Sequence, residues 1–490
     1  MGNLNITNFA GGINEEVSPF LLKINEANDL QNVNVNDGNL SSSKSPIAYI
    51  ENILGRAIGT LIGYYKNNVG YLLVAAGDTL YKWTGTAFTV ISTGFTSDKF
   101  DYLNYNYNSE DVLILCNGVN NTKIYNGTTI RDLKNRRKVY DSNGTITSYV
   151  DGNGVTRATE ALCTTLAPKA YRVELHYERI WLADDKSLYF STANTHGFDI
   201  EDFTAPTYPT SEVNQHGGEI SIYTNDGGKI IGLNVSFDDV VIYKQNNIFK
   251  IYGNYPGQYQ KAQIYSAIGG IADRSIASSN LGVYFLNRDN IYLYNGTKVT
   301  PISFKVKNTL ANINLTYENL SAGIIFNGKY ILAVPEGTST KNNLIIEYDI
   351  YNNSFVLIRG FEVSSFLVFD NKLLFVNDDG KIYQYAVSDI NQSSYWLSGK
   401  MDLDKSDAIK ETEYFYFYAQ GTGTIKVSLI TENKTTEKLV PLTSDLKPYR
   451  VNLKAKGRIL QFKIENQLTG STWGNYTIVK PMLTFDLDYD

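Results

Sequence analysis

Two cysteines, three histidines, three methionines and eleven prolines are all that 490 residues contain of these types. Cys116 and Cys163 fall in or beside extended runs and read as buried free thiols, so disulfides are not what holds this fold together. His176, His196 and His216 are 20 residues apart, with no i,i+4 pair and no cysteine at a zinc spacing, which argues against a structural zinc site. No apolar run approaches the ~20 residues that cross a bilayer. The first residues, MGNLNITNFAGGINEE, lack a basic segment ahead of an apolar core, so no signal peptide is expected. They also miss a myristoylation signal, because Ile6 stands where Ser or Thr is needed. A basic excess is missing too. Forty-four Lys and Arg against fifty Asp and Glu leave a net charge of −6, which disfavours a dedicated nucleic-acid or membrane-surface binder. Helical patterning is scarce, with Asn25–Asn32 and Lys305–Asn312 the only short candidates.

What is abundant is tyrosine, 37 of them, with 22 phenylalanines. Tyrosine packs on half-buried pleated surfaces while its hydroxyl finds a polar partner, so the bias favours strands. The strands come as a repeated phrase: an apolar run, a polar turn, then a short run of the form [Ile/Leu]-[Tyr/Phe]-x-[Tyr/Trp]. It begins at Gly70 (GYLLVAAGDTLYKW), Asp111, Glu178 (ERIWLADDKSLYFS), Asp238, Leu281 (LGVYFLNRDNIYLY), Gly328 and Asn371. Successive starts differ by 41, 67, 60, 43, 47 and 43 residues. Four of these intervals match the ~40–45 residues of a four-stranded propeller blade. Extended segments flank the copies, as AIGTLIGYYK and AFTVIST do the first. A four-stranded sheet exposes both faces when alone, and stacking copies around an axis buries them, which is the physical reason to repeat the unit.

The expected fold is therefore all-β: a β-propeller of about seven four-stranded blades over residues 51–395, followed by a β-sandwich over 396–490. Residues 1–50 form an N-terminal arm whose 38–52 segment supplies the missing strand of the last blade and so removes two open sheet edges. The long intervals hold insertions at 131–160 and 193–218. Beyond residue 395 the strands alternate without the repeated phrase. Residues 405–490 carry twelve basic and ten acidic side chains, leaving −8 for the rest.

Apparent chemical motifs reduce to turns. Gly323–Lys329, GIIFNGK, has the spacing of a phosphate-binding loop, but Tyr330 replaces the metal-coordinating Ser or Thr and Asn327-Gly328 reads as a hairpin turn. VNDDGKIY (376–383) is a degenerate Asp-box. Asp184-Asp185, Asp238-Asp239 and Asp378-Asp379 sit at strand ends, where Asp shapes the backbone. No nucleophile elbow or calcium loop is present, so no catalytic, cofactor or metal site is expected and the chain does not read as an enzyme. One charged cluster stands out: Arg131, Lys134, Arg136, Arg137 and Lys138. It is either a solvated loop or a docking patch for an acidic partner or a phosphate backbone.

The stretch NFAGGINEEVSPFLLKINEANDLQNVNVNDGNLSSSKSP resembles the start of many bacteriophage tail proteins. The matching positions are Phe9, Gly11, Gly12, Ile13 and Asn14, then Glu26, Asp29, Leu30 and Asn32, then Gly38 and Pro46. Trp396, the strand at Lys410, the Gly421/Gly423 turn and GRILQFKI resemble the sandwich that ends such proteins. Lys44–Pro46 departs from the commoner Arg-x-Gly. The family suggested is the propeller-containing hub, nozzle or ring proteins of short-tailed phages. The resemblance implies a structural virion protein, made in the host bacterial cytoplasm and placed in the virion tail. It implies a cyclic homo-oligomer of six or more copies, contacts with other tail or portal-proximal proteins, transient passage of duplex DNA during ejection, and no membrane partner. A receptor- or carbohydrate-binding tail protein is the alternative, favoured if the tyrosines cluster on exposed loops.

Overall fold

The computed structural model describes residues 2–35, 37–51, 54–107, 109–193, 200–204, 216–222, 228–389 and 392–488. The architecture is all-β and propeller-like. Seven four-stranded antiparallel sheets follow one another along the chain, and each copy of the repeated phrase forms the second and third strands of one sheet. Sheet 1 runs from Thr60–Lys66 to Phe88–Thr93, sheet 4 from Ile230–Ser236 to Gln260–Ser266, and sheet 6 from Ala322–Phe326 to Ser354–Arg359. Second strands such as Arg179–Ala183, Asp239–Lys244 and Gly282–Leu286 are buried along their whole length. Both their faces meet a neighbouring sheet, and for that reason their sequence is apolar through its middle, with charges only at the ends, where a half-exposed strand would alternate.

The apolar clusters lie between consecutive sheets. Leu73 and Ala75 of sheet 1 pack with Leu113 and Leu115 of sheet 2, and Val241 and Tyr243 of sheet 4 with Val283 and Phe285 of sheet 5. A further cluster joins the last sheet to the first, through Leu367, Phe369 and Leu374 against Leu61, Leu72 and Val74. Some buried tyrosines satisfy their hydroxyls on backbone carbonyls. Tyr64 donates to Asp111 at 2.7 Å and Tyr330 to Ser275 at 2.7 Å.

Sheet 7 is completed by the N-terminal segment. Strand Lys44–Ile50 pairs antiparallel with Ile382–Asp389, in the register Ile50 to Ile382 and Ile47 to Gln384. The register slips between Gln384 and Ser388, beside Pro46. Proline offers no N–H to a ladder, so it is accommodated at an edge strand and at a bulge, and here it has both.

The arm does more than close that sheet. Gly2–Asn5, Val33–Asn34 and Leu40–Ser42 join Ile409–Gly421, Lys447–Gly457 and Tyr476–Asp488 in one six-stranded sheet. Gly12–Ile13 and Glu26–Gln31 join Tyr395–Ser398, Thr424–Thr431, Thr435–Pro441 and Leu460–Asn466 in a second. Phe415 of the first stacks on Phe462 of the second at 5.4 Å. The helix expected over Asn25–Asn32 is therefore a strand. Ladder bonds to Tyr395–Ser398 decide it, since a short segment with weak helix propensity follows its tertiary partner. The other expected helix is present as Lys307–Ala311, continuing a 3₁₀ turn at Phe304–Val306.

The 131–160 insertion contains a three-stranded sheet, Arg136–Tyr140, Ile146–Asp151 and Thr156–Arg157. Most of the 193–218 insertion lies outside the described residues. GIIFNGK is a hairpin: Ala322–Phe326 pairs with Lys329–Val334 through Asn327 and Gly328, both at positive φ. Lys329 of that hairpin pairs with Glu347 at 2.6 Å. Cys116 and Cys163 are buried free thiols.

Candidate functional site

The first strands of most successive sheets stand side by side, that of sheet 4 meets the Asp273–Ser275 turn before sheet 5, and the first strand of sheet 7 lies against that of sheet 1. Their leading ends converge on one pocket of about 580 Å³, to which all seven sheets contribute, from Ile58 and Gly59 at sheet 1 to Val363 and Ser364 at sheet 7. The pocket is charged. Lys229 pairs with Asp185 at 2.9 Å, and Lys341 with Asp378 at 2.8 Å and Glu362 at 3.2 Å. Arg172 pairs with Asp273 and also donates from Nε to the Ile231 carbonyl at 3.1 Å.

Arg274 crosses the axis. It leaves the 3₁₀ turn Asp273–Ser275 that precedes sheet 5 and donates to the Gly59 carbonyl and to Thr60 Oγ1 of sheet 1, each at 2.7 Å. Sheets 1 and 5 are not neighbours, so this guanidinium is a crossbar over the axis. Burial, and then the nearby charge of Arg172, depress it to about 10.

Two further carboxyls lie deeper. Asp101 accepts the amides of Tyr102 and Val173 at 3.1 and 3.0 Å, and burial raises its pKa. Glu174 is raised from 4.5 to about 8, first by burial and then by Asp101. A carboxyl with a raised folded pKa keeps a proton that the unfolded chain has already lost. Its contribution is therefore fully present below pH 4.5 and is lost as the pH rises towards about 8. Glu174→Gln should remove that loss. Thermal melts across this window should show the variant gaining on the parent as pH rises, and parallel curves would refute the assignment.

The basic cluster is organised around acids of its own chain. Glu201, fully buried, receives Arg131 at 2.6 Å, Arg136 at 2.6 Å and the Lys134 amide at 3.0 Å. Arg136, 2% exposed, also meets Glu160 at 2.8 Å, so it is not available for docking. Lys134 donates to the Cys163 carbonyl at 2.8 Å, Lys138 lies over the Tyr107 ring at 5.8 Å, and Arg137 is close enough to Asp202 to favour its charged form. Glu201 lies in the other insertion, so the network ties the 136–157 sheet to residues 200–204. Removing one partner of a buried pair strands the other charge. Glu201→Ala should cost about 3 kcal/mol, the low end of that range because Glu160 remains, while Arg131→Ala at a 43% exposed side chain should cost under about 1 kcal/mol. Denaturant unfolding of the two variants checks the difference.

Most of the residues that carry the N-terminal resemblance meet at the junction of the arm, sheet 6 and the C-terminal strands, while Pro46 lies in the strand that completes sheet 7. Phe9 packs edge-on against the fully buried Trp396 at 5.0 Å. Gly12 has φ +65°, and a Cβ there would approach the Phe355 carbonyl oxygen to 2.5 Å. Asn14 donates to Glu26 at 3.0 Å, and Glu26 pairs with Lys305 at 3.1 Å. Asp29 accepts the Tyr395 hydroxyl at 2.9 Å. Asn32 accepts the Arg359 amide at 2.8 Å and donates to the Ser393 carbonyl at 2.9 Å.

Sequence reasoning passed over Lys99, Arg172 and Arg274. A signal was present: each lies at or just before the first strand of a repeat, and such equivalent positions converge at the axis of a ring. The aspartate pairs do act in turns, Asp184 accepting the amides of Lys186 and Ser187 at 2.7 Å. Among the described residues no group of three or more His, Cys, Asp or Glu side chains is arranged to hold a metal.

No family model and no curated protein matches the chain. Among solved structures, it is similar to the computationally designed Ika8 protein at 13% identity and TM-score 0.39, covering 70% of this chain and 100% of that one. It is also similar to the extracellular domain of BT4673 from B. thetaiotaomicron at 9% identity and TM-score 0.42, covering 81% of this chain and 48% of that one. A second structure of a BT4673 extracellular domain gives 10% and 0.43, covering 78% of this chain and 45% of that one. The chain thus spans about half the length of the BT4673 structures.

Proposed function

We propose that this chain is a structural protein of a bacteriophage tail, a hub, nozzle or ring subunit that assembles as a cyclic homo-oligomer around the path of DNA ejection. In this reading residues 51–395 are a seven-bladed propeller closed by strand Lys44–Ile50, and residues 396–490 with the arm make a β-sandwich. The observation that carries the proposal is the N-terminal stretch. Phe9, Gly12, Asn14, Glu26, Asp29 and Asn32, through which it resembles tail proteins, all take part in one junction. A motif used wholly for architecture suits a scaffold.

Two features add to it. Tyr64, Tyr243, Tyr284, Tyr294 and Tyr330 are among the largest fully buried side chains, so part of the tyrosine excess serves the core and not a sugar-stacking surface, while Tyr65, Tyr177, Tyr351 and Tyr418 are exposed. The axis of a single subunit is crossed by Arg274, so a DNA path belongs between copies, as in a ring built from heterologous contacts. The −8 balance over residues 1–404 fits a conduit, because a channel should not hold duplex DNA through counterion-releasing contacts. Electron microscopy of virions or of recombinant particles tests this. A rotationally symmetric ring of six or more copies on the tail axis is expected. Copies hanging from peripheral stalks would overturn it in favour of receptor binding.

A further inference from the structure

Three of the five cations around the axial pocket have a carboxylate partner: Arg172, Lys229 and Lys341. The other two do not. The Arg274 guanidinium is held by a carbonyl and a hydroxyl, and the exposed Lys99 ammonium makes no hydrogen bond or ion pair among the described residues. Both line the pocket, and the guanidinium is close enough to disfavour the charge of Lys99. Lys99 is lowered by burial and then by Arg274. Asp98 lines the same side and favours the charge of both, but it forms no ion pair with either among the described residues, and its carboxylate accepts the Gly77 amide at 2.9 Å. Of the carboxyls beside them, Glu174, raised to about 8, adds little negative charge at neutral pH, whereas Asp101 favours the charge of Arg274.

Two neighbouring cations in a partly desolvated pocket repel each other, and an anion placed between them relieves both the repulsion and the desolvation. We propose that the Lys99–Arg274 side of the axial pocket binds a small oxyanion, the phosphate or carboxylate group of a soluble molecule that fits within about 580 Å³. Arg274 supplies a planar donor already fixed by Gly59 and Thr60, and Lys99 a mobile point charge that closes on the ligand. Pre-fixing the guanidinium lowers the ordering cost of binding.

Titration of the full chain with inorganic phosphate, followed by calorimetry and thermal melting against sodium chloride at matched ionic strength, tests the site. Saturable binding is expected. Lys99→Met should weaken it by roughly tenfold or more, the scale of one charge-assisted hydrogen bond. Arg274→Gln risks the fold because it frees Gly59 and Thr60, so Lys341→Met serves as the comparison. That paired lysine lines the same pocket, and its loss should leave binding unchanged. Acetate in place of phosphate distinguishes the two ligand classes, and saturable binding of either supports the site. A non-saturating response shared with chloride, binding undiminished in Lys99→Met, or equal loss in Lys341→Met would overturn the proposal.

Discussion

Deleting residues 1–50 should leave a chain that does not reach the native fold. The deletion takes away the edge strand Lys44–Ile50 and exposes the ladder groups of Ile382–Asp389 that it satisfies. An open sheet edge of this kind recruits other chains, so aggregation is the expected form of failure. It also removes Ile6, Phe9, Ile13, Leu30, Val33, Val35, Leu40 and Ile50, all buried. At about 1.5–3 kcal/mol for each fully buried side chain of this size, the loss is comparable with or larger than the roughly 5–15 kcal/mol that stabilises a typical protein. A second deletion ending at Ser43 separates the two roles. It keeps the closing strand, and it should lose the C-terminal sheets' contacts while sheet 7 remains paired. Circular dichroism and size-exclusion chromatography of both proteins give the answer. A monomeric 1–50 deletion that melts cooperatively at the parental temperature would refute the closure.

Trp396→Ala should be the most damaging single substitution at the junction, costing about 3–5 kcal/mol. The indole is fully buried, touches Phe9, and lies on the strand that pairs Leu30 on one side and Ile464 on the other. Few neighbours there can collapse into the space, because both flanking strands are fixed by their ladders. The indole N–H has no hydrogen-bond partner among the described residues, so Trp396→Phe keeps most of the apolar volume and breaks none of the bonds described. It should cost well under half as much. Combining each change with Phe9→Ala would show non-additive losses for the alanine variant, as expected of two rings in direct contact. Equal destabilisation by Trp396→Phe and Trp396→Ala in denaturant unfolding would show that the indole nitrogen matters after all.

The repeated phrase was readable because its physics is local. A continuous apolar run, a polar turn and a second short run already specify a hairpin, and Gly328 and Asn327 supply the positive φ that their turn requires. The closing strand was also legible, since a ring of similar sheets with one three-stranded member needs a strand from somewhere, and only 38–52 was extended and unassigned. Glu26–Gln31 was misread for the opposite reason. Its six residues have little pattern of their own, and their extended state comes from Tyr395–Ser398, more than 360 positions away in the chain.

The charged groups divide in the same way. That Arg131 to Lys138 form a basic run is a property of the sequence. That Arg131 and Arg136 turn onto Glu201, from the other insertion, depends on how two loops about 65 residues apart are brought together. Lys99, Arg172 and Arg274 carry no motif, and their meeting at one end of the axis exists only once the first strands of all seven sheets stand in a ring. By itself the sequence determined strand type, the repeat and its turns, because these follow from side-chain periodicity and backbone preference within about forty residues. Tertiary structure alone decided which charges are paired, which are left facing the axial pocket, and that the N-terminal arm is shared between the last propeller-like sheet and the C-terminal sheets, because those outcomes are set by contacts between segments with no local signal for one another.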